Sequence, residues 1–129
     1  MRAGFDTRML LVFGLAFLVA ALTNWTVPYE DLGLMEDGSA LRWAFYAAVL
    51  SLISHFRHNQ LSGKVAIWIA MGFVTAVILR IVFDIFNDSS THNLWPFEVV
   101  LALGITFAPA FVVGLVFKVV QRTLKGENH

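Results

Sequence analysis

Residues 65–86 read VAIWIAMGFVTAVILRIVFDIF, and only Thr75, Arg80 and Asp84 interrupt their apolar character. A run of this length is what a helix needs to cross the ~30 Å hydrocarbon layer of a bilayer. Three more stretches read the same way. Residues 9–27 carry polar side chains only at their far end, Thr23, Asn24 and Thr26. No small-x-small cleavage site precedes a polar mature start, so this run is expected to be a first transmembrane helix rather than a signal peptide. Residues 40–56 are short for a span, and Arg42 near their start is expected to snorkel to the interface. Residues 96–120 open on Pro96, which suits the first turn of a helix. Pro109 in their middle is predicted to kink the helix, because it removes a backbone hydrogen bond.

Composition agrees. The chain has 129 residues, 58% of them hydrophobic, with a mean hydropathy of +0.73. Charged residues make up 14%, against ~25% in soluble domains. A soluble domain this small leaves too much surface in water to hide so much apolar side chain. The expected class is therefore an all-α integral membrane protein, a four-transmembrane-helix bundle forming a single domain over residues 1–129. There is no cysteine, which excludes disulfides, a thiolate nucleophile and a thiolate metal site. Net charge is zero, and nothing points to nucleic acid.

Charge distribution sets the expected orientation. Arg2, Arg8, Arg57, Lys64, Lys118, Arg122 and Lys125 all fall on one side of the four spans. The two opposite loops, 28–39 and 87–95, hold no lysine or arginine. They and the adjoining helix ends carry Glu30, Asp31, Glu36, Asp37, Asp84, Asp88 and Glu98. Basic residues accumulate on the cytoplasmic side, so both termini are expected there, in a cell (inner) membrane, with the acidic loops outside. Trp25, Trp43 and Trp95 at outer ends, and Trp68 near an inner end, fit an interfacial belt.

Function is expected to centre on residues 80–98, where Arg80, Asp84, Asp88, His92 and Glu98 gather. A charge as deep as Arg80 is disfavoured by roughly 2–3 kcal/mol or more unless it pairs or snorkels. It is expected to meet Asp84, four residues on, or Glu98 on the next span. Asp84, Asp88, His92 and Glu98 also form a candidate set for a divalent metal, since one imidazole and several carboxylates suit such an ion. The competing reading makes these residues helix-ending polar groups, with Glu98 favouring the helix dipole. His92 is a candidate pH-sensitive loop group. His55 and His58 are expected at the membrane interface beside Arg57, where basic residues meet lipid headgroups. Ser51 and Ser54 near His55 lack the oriented acid a nucleophilic site needs.

Small residues at four-residue spacing mark close helix contacts. Gly72 and Ala76 lead to Arg80 and Asp84 on the third span; Ala102, Thr106, Ala110 and Gly114 follow Glu98 on the fourth. These rows suggest that spans three and four pack together. Ala16 and Ala20, Ala44 and Ala48, and Ala47 with Ser51 and His55 offer further seams. Two functions follow with nearly equal weight. One is an oligomeric channel or transporter with an acidic outer mouth. The other is a non-catalytic membrane subunit or assembly factor that packs against partner helices. A metal-dependent membrane enzyme using the outer Asp/His/Glu group ranks third. The expected partners are the lipid bilayer and either further copies of the chain or another membrane protein.

Overall fold

A computed structural model of the chain describes residues 6–26, 39–57, 61–87 and 95–126. These form four helices and no strand: α1 (Thr7–Asn24), α2 (Ser39–Arg57), α3 (Ser62–Asn87) and α4 (Trp95–Gly126). The fold is all-α and membrane-like. Thr7–Asn24, Ser62–Asn87 and Pro96–Gly126 are long and apolar enough to cross a membrane. The 26 residues of α3 extend about 39 Å at 1.5 Å per residue, more than the hydrocarbon layer requires. The 19-residue α2 has the length, but Arg42, Ser51, Ser54, His55 and Arg57 dilute its apolar content.

Local chemistry sets the helix bounds. Asp6 caps α1 by accepting from the Arg8 N–H at 3.2 Å, filling one of the donors a helix start leaves open. The helix ends at Asn24, and the Trp25 N–H donates to the Ala21 carbonyl at 2.8 Å. Threonines inside the helices turn their hydroxyls back to the preceding turn. Thr75 Oγ1 donates to Met71 O and Thr106 Oγ1 to Ala102 O, each at 2.7 Å. Such bonds satisfy a hydroxyl where no water is at hand. α4 runs as one helix through Pro109.

Of the pairs adjacent in sequence, only α3 and α4 pack extensively; the other main partners are one helix removed. α1 lies against α3, α3 against α4 and α4 against α2, while α1 and α2 meet only slightly. α1 and α3 run in the same direction. Lys64 Nζ bonds Asp6 Oδ2 at 3.1 Å at one end, and Trp25 Nε1 donates to Ala76 O at 3.2 Å further along. α2 and α4 are likewise parallel, since Ser51 meets Ala110 and His55 meets Gly114. One end of the molecule therefore gathers Asp6, Arg57, Lys64 and Lys118; Trp25, Trp43 and Asp84 mark the other.

α3 is the most enclosed of the three apolar helices. Val65, Ala66, Ile69, Phe73, Ala76 and Val77 are all buried. Gly72 is a close approach in the α1–α3 seam. A Cβ there would lie 2.7 Å from both Ala16 Cβ and the Phe13 carbonyl oxygen. Gly72 thus meets the first span, while α3 also packs against α4, as the small-residue rows suggested. Ala102, Thr106, Ala110 and Gly114 are buried as a row, and the last two meet α2. Trp43 departs from the interfacial belt. It is 4% exposed, with its ring centroid 5.3 Å from that of Phe73. Conversely Leu11, Leu22, Leu41, Phe56, Phe83 and Phe86 are well exposed, an apolar perimeter suited to lipid rather than water.

Candidate functional site

Arg80 and Asp84 follow Ala76 along α3, each one turn further toward the helix end. Residues four apart on a helix share a face, and Arg80 Nε donates to Asp84 Oδ2 at 3.3 Å. Both side chains are largely withdrawn from solvent, at 11% and 19% exposure. Pairing offsets the cost of placing the guanidinium about two turns inside the helix end. Of the partners expected for Arg80, the described contact is with Asp84. Glu98 is half-buried in the first turn of α4.

Trp25 closes the other side. Its indole N–H donates to Ala76 O, which fixes the ring at the end of α1, and Phe17 meets it edge-on with centroids 6.3 Å apart. Between Trp25 and α3 lies a cleft of about 410 Å³ lined by Trp25, Leu79, Arg80, Phe83 and Asp84. That volume sits near the low end of the range for small-molecule sites. Among the described residues its walls are apolar apart from one cation and one anion on a single helix face. Such a site can hold an amphiphile.

Asp88 and His92 lie outside the described residues, as do His58 and both acidic loops. Among the described residues, no three histidine or acidic side chains come together as a metal site.

A second polar group lies toward the basic end, where α2, α3 and α4 meet. Ser51 Oγ donates to Ala110 O at 2.6 Å, and Ser54 Oγ donates to Leu50 O at 2.7 Å. Both hydroxyls are thus engaged by backbone carbonyls. His55 is 3% exposed, so it is not the interfacial residue expected from its place beside Arg57. Its Nδ1 is 2.7 Å from Ser51 O. A carbonyl can only accept, so Nδ1 is the donor in this contact. The Nε2 of His55 and the Ser62 hydroxyl are buried without a hydrogen-bond partner among the described residues. Gly114 permits this contact, because a Cβ there would lie 2.7 Å from His55 Cε1 and 2.9 Å from Ser62 Cβ. The sequence signal was the four-residue row Ala47, Ser51, His55, which continues one seam rather than ending at the interface.

Comparison with protein-family models, curated proteins and solved structures returns no match for this chain.

Proposed function

We propose that the chain is a multi-pass membrane protein with four spans and both termini cytoplasmic, acting as a non-catalytic membrane subunit. The observation that carries this reading is the closed Arg80–Asp84 pair on one helix, beside a core filled by Phe73, Ile69, Val65 and Met9. Among the described residues these side chains fill the space between the helices, and the apolar perimeter suits lipid and neighbouring helices. The positive end, with Arg57, Lys64 and Lys118, supports the orientation. The chain has no cysteine, so single cysteines introduced at 57 and 88 report sidedness directly. Labelling of 88 from the cytoplasmic side would refute the orientation. Gentle affinity purification from native membranes tests the subunit role, with co-purification of a defined partner expected. A lone homogeneous species at native expression would overturn it.

One observation favours a second reading, a channel or transporter built from several copies. The cleft at Arg80 and Asp84 is lined by the exposed Trp25 and Phe83, where a neighbouring copy could complete it. Proteoliposome flux distinguishes the two, and no flux for any ion or small solute with folded, oriented protein defeats the second.

A further inference from the structure

The cleft beside Trp25 has an order of chemistry along its length. Arg80 is the deeper charge, and Asp84 lies four residues nearer the end of α3, a rise of about 6 Å. Leu79, Phe83 and the Trp25 ring supply the apolar wall. A phospholipid in the adjacent leaflet presents its two charges in the same order, the phosphate deeper and the terminal group of the head nearer the surface. We propose that this cleft binds a zwitterionic phospholipid with a primary amine, its phosphate on Arg80 and its ammonium on Asp84. The inference rests on the membrane reading above and not on the subunit role.

Charge complementarity selects this occupant. An anionic headgroup would satisfy Arg80 but face the Asp84 carboxylate 3.3 Å from the guanidinium. A simple cation would meet the converse conflict. A zwitterion adds an opposite charge beside each member of the Arg80–Asp84 pair and leaves the group neutral, and the planar guanidinium fork matches phosphate oxygens. Asp84 also separates two zwitterions. A primary ammonium donates N–H bonds to a carboxylate, whereas a quaternary choline has none to donate. The C-terminal end of α3, negative in its macrodipole, adds to the preference for an ammonium at the outer position.

Native mass spectrometry of the purified full chain, titrated with phosphatidylethanolamine, phosphatidylcholine and phosphatidylglycerol of identical acyl chains, provides the test. Phosphatidylethanolamine is expected to be retained roughly tenfold better than the other two, the scale of one charge-assisted hydrogen bond. Asp84→Asn should remove the discrimination between ethanolamine and choline heads. Arg80→Gln should lower retention of all three lipids. Leu79→Trp narrows the cleft without touching either charge and should also lower all three, which keeps the test intact if the ion-pair variants misfold. Equal retention of the ethanolamine and choline lipids by the unaltered chain overturns the proposal, as does preference for phosphatidylglycerol. Release of the chain from membranes by alkaline carbonate would instead refute the membrane reading, a separate and visible failure.

Discussion

Replacing Gly72 by alanine adds one methyl group where α1 and α3 approach closely. The new Cβ would sit 2.7 Å from Ala16 Cβ, 2.7 Å from Phe13 O and 2.9 Å from Phe17 N, where ordinary contact begins at 3.4 Å. Two of those atoms are backbone, so no rotamer change makes room. α1 must withdraw by about 0.7 Å, the shortfall from 3.4 to 2.7 Å. A gap of ~0.5–1 Å forfeits a quarter to a half of each dispersion contact. The loss is shared along a seam that buries Met9, Val12, Ala16 and Ala20. The expected destabilisation is about 1–3 kcal/mol, the usual cost of overpacking. Gly104→Ala is the matched control, because a Cβ there has nothing within 4 Å. Reversible unfolding in mixed micelles, followed by far-ultraviolet circular dichroism, compares the two. If Gly72→Ala unfolds within about 0.5 kcal/mol of Gly104→Ala, the sign of ordinary surface substitutions, the close-approach argument is wrong.

Gly114→Ala should also destabilise the chain, and His55→Ala should relieve part of that cost. In a double-mutant cycle the pair is expected to couple by at least about 0.5 kcal/mol, as residues in contact do; strict additivity in micelle unfolding would refute the contact. Asp6 predicts a pH dependence. Its hydrogen bond to Lys64 chiefly holds the carboxyl below its ordinary value. A carboxyl depressed in the folded state adds stability above its unfolded pKa of about 3.9 and loses it as pH falls through the lower folded value. The difference in melting temperature between the unaltered chain and Asp6→Asn should therefore be largest near neutrality and vanish in strong acid.

Helix existence was legible because four apolar runs leave few other solutions. The boundaries moved for local reasons. α1 starts at Thr7, where Asp6 supplies a cap, and α4 continues to Gly126 because polar residues from Gln121 onward do not break a helix. Partner choice was less legible. Gly72, Ala76 and Arg80 share a row, yet an i,i+4 row drifts around its helix, and α3 is wrapped from several sides. Periodicity could not show that Gly72 meets α1. For His55, a basic neighbour at 57 suggested exposure, while the missing side chain at Gly114, fifty-nine positions away, allows its burial. The Arg80–Asp84 pair was readable because both partners lie on one helix; the Trp25 wall of the cleft needed the fold.

The crossed pairing of α1 with α3 and α2 with α4 has a consequence for biogenesis. The first two helices leave the ribosome before either has its main contact surface. At ~5–20 residues per second, α1 waits on the order of seconds for α3 to be completed. During that interval the face bearing Ala16 and Ala20 has yet to meet the helix that covers it, so a nascent chain paused after α2 is the stage at which that apolar face is least protected.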